Sequence, residues 1–472
     1  MLHQIKELIK RLIPVSWLDW YHSFLAKIAA FWYGNPSQKL IVIGVTGTNG
    51  KTTTAYLTAK ALEAGGVKTG CTTTAIFKIG DKEWLNATKM TMLGRFALQK
   101  TLKQMVDAGC KYAVVETSSQ GVLQHRHKQI AYDIGVFTNL TPEHIEAHGG
   151  FENYKQAKIE LFKHIASLPT KVINGKTVPR AFVLNKDDEH AKDFAIKGQQ
   201  VTWYGLGDGC NVQASDVKET FGGISFVILS VVERSGLVGP DPSTPSDFVQ
   251  DDRKRDFVQD DKVVVSLKLL GYVNVYNALA ALSVAKVLDV NMSEAISKLE
   301  AIKNMPGRFE RIDEGQPWQV MVDYAPEPGS LARLYKDVRI LKPQRIIHVL
   351  GSCGGGRDVA RRPILGKMAA QNAAIVIVTN EDPYDDDPME IIKQVAEGAK
   401  EGGKIEGENL FLILDRASAI QKAMDLAQPG DLVLMTGKGS EQRICVANGK
   451  KIPWDERKAA SRAILSTIAQ RG

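Results

Sequence analysis

The segment Gly44-Val45-Thr46-Gly47-Thr48-Asn49-Gly50-Lys51-Thr52-Thr53-Thr54 constrains this chain more than any other. The apolar run Leu40-Ile41-Val42-Ile43 precedes it, and a helical pattern over residues 55–64 follows. Strand, glycine loop and helix in that order make a phosphate-binding unit. The glycines let backbone N–H groups turn toward phosphate oxygens, and the helix N-terminus adds positive potential. Gly47, Thr48, Asn49, Gly50 and Thr53 are the expected cradle. Lys51 reaches the terminal phosphates, and the Thr52 hydroxyl is placed to ligate Mg²⁺. The pattern predicts a nucleoside triphosphate site. One departure is Val45, where the strict phosphate-loop pattern wants glycine.

A chain of 472 residues is too long for one ordinary core, so two or three domains are expected. A net charge of +7 suits anionic ligands such as nucleotides and gives no argument for nucleic acid. The five cysteines are scattered without a CxxC pair, which excludes a zinc-finger pattern or disulfide framework and fits a reducing, cytoplasmic setting. No apolar run reaches the roughly 18 residues of a membrane span. Residues 1–13 carry Leu2, Ile5, Leu8, Ile9 and Leu12 with Lys6, Lys10 and Arg11 between them, and an aromatic stretch from Trp17 to Tyr33 follows Pro14. Two readings stand for residues 1–35: amphipathic helices packed on the protein itself, or an interfacial pair in peripheral contact with the inner face of a membrane.

After residue 39, strand-like runs alternate with helical patterns at 41–45, 112–116, 134–138 and 181–184, which predicts a parallel sheet with crossover helices. Residues 223–232 and 262–270 read as strands of a second sheet region. Between them Asp247-Phe248-Val249-Gln250-Asp251-Asp252 recurs as Asp256-Phe257-Val258-Gln259-Asp260-Asp261, a solvated insertion without chemistry. Helical patterns cover 274–288 and 292–302, and Pro306-Gly307-Arg308 marks a boundary. Beyond it, strands are expected at 319–323, 345–350, 374–379, 410–413 and 432–436. The expected division is a helical extension over 1–38, a central α/β ATPase domain of phosphate-loop type over 39–305, and a Rossmann-like α/β domain over 306–472.

Glu116 closes the strand at 112–116, and His144 lies just past the strand at 134–138. Carboxylate and imidazole at neighbouring strand tips beside a glycine loop are candidate metal ligands. Here the pattern becomes a family resemblance. Thr138-Asn139-Leu140-Thr141-Pro142-Glu143-His144-Ile145-Glu146-Ala147-His148-Gly149 and Tyr154-Lys155-Gln156-Ala157-Lys158 resemble the Mur ligases. So do Gly271-Tyr272-Val273-Asn274-Val275-Tyr276-Asn277, Pro306-Gly307-Arg308-Phe309-Glu310, Asp323-Tyr324-Ala325 and Thr436-Gly437-Lys438-Gly439-Ser440-Glu441. The resemblance runs from about residue 40 to 460. It implies an ATP-dependent amide-forming ligase of peptidoglycan synthesis, in the branch that extends a muramoyl dipeptide by one amino acid.

The resemblance implies a set of roles. Thr52 and Glu116 hold one Mg²⁺ and His144 helps hold a second. Lys158 is carbamylated by CO₂ and becomes a carboxylate-like ligand; otherwise it is a surface lysine on a helix. Lys51, Lys158, Glu116 and His144 form the catalytic set. Asn277 and Asp323 meet adenine and ribose, and Arg308 stands near the γ-phosphate. Ser118, Gln124 and Arg126, joined by Thr91 from its place in the chain, receive the muramoyl peptide. Arg357, Asp382 and Glu441 receive the free amino acid. The chemistry itself is general. A carboxylate is a poor electrophile, phosphoryl transfer turns it into an acyl phosphate, and the amine then displaces phosphate through a tetrahedral intermediate.

Four departures shape the expectation. Fewer than 40 residues precede the phosphate-loop strand, where the family has a uridine-nucleotide-binding domain, so a lipid-linked acceptor stands beside UDP-muramoyl dipeptide. Pro326 replaces the histidine of an Asp-Tyr-Ala-His motif. Gly356 replaces an acidic residue and Ser440 a histidine. Glu381-Asp382-Pro383-Tyr384 replaces the Asp-Asn-Pro-Arg that pairs with the distal carboxylate of diaminopimelate. With Asp385-Asp386-Asp387 behind it, this favours a basic amino acid such as lysine over diaminopimelate, unless the acidic run only caps the next helix. Other readings are an amidating enzyme, a folate-polyglutamating relative and a catalytically impaired nucleotide-binding scaffold.

Overall fold

The computed structural model describes residues 15–141, 148–220, 222–230, 262–356 and 359–471. The first helical pattern at 1–13, the duplicated insertion, His144 and Arg357 lie outside the described residues. Two sheets organise the rest.

The larger sheet has eleven strands in the order Lys262–Leu267, Gly223–Ser230, Val212–Thr220, Gln200–Gly205, Ala181–Asn185, Ile134–Phe137, Ile41–Thr46, Tyr112–Glu116, Thr69–Thr72, Ile76–Ile79 and Lys82–Leu85. Its centre is parallel, and two antiparallel pairings finish each edge. The phosphate-loop strand is flanked by the strands that carry Glu116 and Thr138, so all three tips open on one crevice. Alternate residues of these strands enter two cores. Ile41, Ile43, Val45, Tyr112 and Val114 pack with the helices Lys51–Ala61 and Val273–Val287. Val42, Ala113 and Val115 pack with Arg95–Asp107 and Phe151–Ser167 on the other face. Burial on both faces explains why these strands read as continuous apolar runs.

Residues 223–232 and 262–270 do not start a second sheet. Val212–Thr220 pairs in parallel with Gln200–Gly205 on one side and antiparallel with Gly223–Ser230 on the other, which makes the later strands an edge of the first sheet. The phosphate-loop helix begins at Lys51 rather than at residue 55.

The second sheet runs Glu310–Arg311, Gln319–Val322, Leu432–Met435, Ile346–Leu350, Ile375–Thr379 and Leu410–Ile413, parallel except for its first pair. Pro328–Val338, Arg361–Asn372 and Pro388–Glu401 cover one face, and Arg416–Leu426 and Glu456–Arg471 the other. All five cysteines are reduced and buried.

The helix Val15–Trp32 packs on Arg95–Asp107. It turns Ala26, Ala29 and Ala30 inward and leaves Trp17, Trp20, Phe24, Phe31 and Trp32 exposed, Phe31 to 82%. Among the described residues no helix is long and apolar enough to cross a membrane.

Candidate active site

Strand Ile41–Thr46 delivers the glycine loop to the crevice. Val45 is still in this strand and wholly buried, so the departure from the strict pattern falls outside the loop proper. Gly47 has φ 146°, and a Cβ there would stand 1.9 Å from Thr138 Oγ1. Only glycine fits a backbone pressed that closely to the next strand tip. The loop is fixed from that tip. Thr48 N donates to the Asn139 carbonyl (2.8 Å), Asn49 N donates to Asn139 Oδ1 (2.8 Å), and Thr138 Oγ1 donates to the Asn49 carbonyl (2.7 Å). Lys51 Nζ donates to the Thr48 carbonyl at 2.6 Å.

Thr52 Oγ1 lies 3.0 Å from both carboxylate oxygens of Glu116. Thr74 adds its backbone N–H (2.7 Å) and hydroxyl (3.0 Å) to the same carboxylate, and that hydroxyl is 3.0 Å from Thr91 Oγ1. Glu116 is 1% exposed. Among the described residues it is held by neutral donors alone. A buried carboxylate beside hydroxyl oxygens, ion-paired with no cation among the described residues, fits a hard divalent ion such as Mg²⁺, which takes few protein ligands and keeps its waters. No cluster of three His, Cys, Asp or Glu ligands forms among the described residues.

Lys158 is not a surface lysine: it is 1% exposed on the inner face of Phe151–Ser167. Its Nζ donates to the Gly47 carbonyl (2.7 Å) and stands 4.3 Å from the Tyr154 ring centre. It therefore lies behind the phosphate loop. His148, beside it, places Nε2 3.2 Å from Ser119 Oγ and its ring 5.0 Å from Tyr154. Burial, with the charge of Lys158, pushes the His148 imidazole below its ordinary pKa.

Across a cleft of about 280 Å³ the second lobe brings Arg308, Asp323, Tyr324 and Pro326 to face Lys51, Thr52, Glu116 and Thr91. The Arg308 guanidinium stacks 4.6 Å from the centre of the Tyr324 ring. Asp323 accepts from the N–H groups of Phe309 (2.7 Å) and Ala325 (2.8 Å), and burial raises its pKa above the usual carboxylate range. Asn277, on the cleft wall, accepts from Thr54 Oγ1 (3.0 Å) and donates to Asn274 Oδ1 (2.8 Å). A larger open groove of about 690 Å³ beside Trp454 and Arg462 contains none of these groups.

Ser118 caps the short helix Ser119–Leu123 by accepting from Gly121 N at 3.1 Å. Arg126 donates to Gln124 Oε1 and to the Met92 carbonyl, both at 2.5 Å. Arg95 donates to the Gln124 carbonyl. Burial lowers the pKa of both arginines, and for Arg126 the like charge of Arg95 adds to it.

Asp382 and Glu441 share two ammonium groups, those of Lys438 and Lys89. Burial works to raise the Asp382 carboxyl, but Lys438 and Lys89 outweigh it and hold it below its usual range; burial leaves Glu441 above its own. The acidic run behind Asp382 is engaged with backbone. Asp385 accepts from Asn448 N (2.8 Å), Asp386 from Gly355 N (3.2 Å), and Asp387 caps Pro388–Glu401 through Met389 N (2.8 Å). The helix-capping reading therefore holds for Asp387, and the carboxylates that meet ammonium groups are Asp382 and Glu441. Lys438 was legible as part of the Gly437–Glu441 motif. His148 stood inside the 138–149 motif without an assigned role, and Thr74 and Lys89 carried no signal of their own.

Fold and site together define a two-lobed α/β ligase of phosphate-loop type. Family models described as the Mur ligase middle domain and as the Mur ligase, glutamate ligase domain match residues 45–285 and 307–439. A UDP-N-acetylmuramyl-tripeptide synthetase of Roseiflexus sp. (strain RS-1) is 39% identical over 446 residues, 93% of this chain and 81% of the relative. A UDP-N-acetylmuramoyl-L-alanyl-D-glutamate--2,6-diaminopimelate ligase of Halalkalibacterium halodurans is 35% identical, with 93% and 81% covered. The folylpolyglutamate synthase of Mycobacterium tuberculosis shares the fold, with a TM-score of 0.63 at 16% identity over 98% of each chain. The chain belongs to the Mur ligase family, whose members are ATP-dependent amide-bond-forming ligases that use Mg²⁺.

Proposed function

We propose that this protein extends a UDP-muramoyl dipeptide by one amino acid at the expense of ATP. The observation that carries the reading is the buried Glu116 carboxylate, which among the described residues accepts from neutral donors alone, at the mouth of the phosphate loop and facing Arg308 across the cleft. The loop N–H groups and Lys51 take the triphosphate, while Asn277 and Asp323 meet adenine and ribose. Thr52 and Glu116 hold Mg²⁺, with His144 as a further ligand. Bound there, the ion offsets phosphate charge and orients the γ-phosphoryl group.

Ser118, Gln124, Arg126 and Thr91 seat the muramoyl dipeptide so that its terminal carboxylate lies in line with the γ-phosphorus. The carboxylate oxygen forms a bond to phosphorus as ADP leaves, giving an acyl phosphate. The amine of the incoming amino acid, held by Asp382, Glu441 and Arg357, attacks the acyl carbon. The tetrahedral intermediate then expels phosphate and loses a proton. Lys158 acts as a carbamate: its neutral amine bonds to CO₂ with release of a proton, which replaces a cation beside the loop with an anion. The test crosses UDP-muramoyl dipeptide with lysine, ornithine and diaminopimelate and follows phosphate release. Glu116→Gln is expected to slow release by about 100-fold. Release that ignores both the acceptor and this substitution would overturn the reading.

One observation favours a second reading, action on a lipid-linked precursor: the aromatic residues that Val15–Trp32 leaves exposed. Replacing Trp20, Phe24 and Phe31 together by serine is then expected to abolish flotation with anionic vesicles. Unchanged flotation removes this reading.

A further inference from the structure

The two carboxylates assigned to the incoming amine each have two cations beside them, and the two lysines are not equivalent. Lys438 belongs to the same lobe as Asp382 and Glu441. Its Nζ lies 3.0 Å from Asp382 Oδ1, 2.7 Å from Glu441 Oε2 and 2.8 Å from the Arg443 carbonyl. These three acceptors use all three donors of an ammonium group. Its side chain is fully enclosed. Cys445 N completes the wall by donating to Asp382 Oδ1 at 2.7 Å. Lys438 is thus a fixed part of the subsite.

Lys89 comes from the other lobe, on the connection between Lys82–Leu85 and Arg95–Asp107. Its Nζ pairs with Asp382 Oδ2 and lies 3.0 Å from Glu441 Oε2. The backbone that presents it has φ 60°, a left-handed conformation that a side chain other than glycine adopts at a cost. With Lys89 in place, the cluster holds two negative and two positive charges. An added ammonium would find no carboxylate without a partner there, and burying it unpaired is costly. With Lys89 withdrawn, the cage keeps Asp382, Glu441 and Lys438 and has a net negative charge. The vacated position then offers Asp382 Oδ2 and Glu441 Oε2, which are the acceptors an ammonium donor needs.

Resting on the ligase reading above, we infer that Lys89 is a resident occupant of the amine subsite, which the ammonium of the incoming amino acid displaces. While it is in place, Lys89 clasps the two lobes together through the subsite. Two residues further on, Thr91 shares a hydrogen bond with Thr74, which holds Glu116. Displacement of Lys89 therefore acts on the same short segment that borders the acceptor end of the cleft. Lys89 is a positioning residue in this scheme and sets the apparent affinity for the amine.

The test uses the full chain with Lys89→Met, which keeps the aliphatic stem and removes the charge. Lys89→Gln serves as a second variant, and Lys89→Arg restores the cation. Calorimetric titration with lysine, ornithine and diaminopimelate, without nucleotide, reads amine affinity directly. A clasp closed nine-tenths of the time weakens apparent binding about tenfold, so both neutral variants are expected to bind amine about tenfold more tightly than the parent, and Lys89→Arg like the parent. Small-angle scattering without ligand is expected to show a larger radius of gyration for the neutral variants. Equal or weaker amine binding by Lys89→Met and Lys89→Gln overturns the displacement. If no amine binds to any of the four proteins, Asp382 and Glu441 are not an amine subsite, and the ligase assignment of those residues falls with the inference.

Discussion

Lys158 shows how differently a residue can read in sequence and in space. As one lysine among the helical residues 151–167 it resembles any solvated cation, yet it is sealed behind the phosphate loop, with the Gly47 carbonyl and the Tyr154 ring as neighbours. If its catalytic form is the carbamate, Lys158→Ala is expected to lose phosphate release and to regain part of it when short carboxylic acids are added. Absence of any rescue in the dose–response leaves the lysine a structural support for Gly47. The same contrast decides what else was legible. Thr52 and Lys51 follow from a local pattern, because strand, loop and helix lie within a few residues of each other. Glu116 followed from its place at a strand tip. Thr74 and Lys89 did not, because their partners are 42 and 293 positions away and nothing in their own neighbourhood marks them.

At the scale of elements, the strands that enter two cores were readable and the edge was not. Continuous apolar runs mark 41–46 and 112–116 because both faces are covered. Val212–Thr220 is buried only at Val212 and Ala214, becomes exposed at alternate positions toward its far end and carries a register shift between Ser215 and Lys218, so its role in joining the later strands to the main sheet was hidden. The segment between Ser119–Leu123 and Ile134–Phe137 leads to a prediction of its own. His127 is buried there, edge-on to His164 of Phe151–Ser167 at 5.0 Å, with His125 and Lys128 as the other neighbours whose positive charge opposes its protonation. Burial first, then these like charges, push its pKa down to about 3. The unfolded chain titrates near the usual value of about 6.5, so below that pH it binds a proton that the folded state refuses. The stability His127 supports is intact above pH 6.5 and falls on acidification toward pH 3, by at most about 1.4 kcal/mol per pH unit. His348, buried between Tyr335 and Thr436 and also near 3, adds a slope of the same sign. Urea denaturation at pH 7.5 and 5.5 is expected to show this loss, and His127→Gln to make it shallower. An identical loss in the variant would assign the slope elsewhere.

The whole molecule depends on how its two lobes meet. Arg308 and Asp323 line the cleft because the second sheet turns its carboxyl-end crevice toward the phosphate loop, and each lobe's pattern was legible without the distance between them. Gly307 sits at that junction with φ 62°, and a Cβ there would fall 2.0 Å from Ser440 N. Gly307→Ala is therefore expected to push the 437–441 loop away from Arg308. Both sheets would stay folded, with unchanged far-ultraviolet circular dichroism, while the KM for ATP rises about tenfold or more. An unaltered KM would show that the loop yields without disturbing the cleft.

The buried thiols give this geometry a timepiece. A water-soluble maleimide reaches a sulfur only when its surroundings part, so Cys71, Cys110 and Cys210 report the breathing of one half and Cys353 and Cys445 that of the other. Cys445 Sγ lies 3.7 Å from Lys89 Nζ. Its alkylation rate, followed by peptide mass, records how often the halves come apart at the place where they are joined by charge.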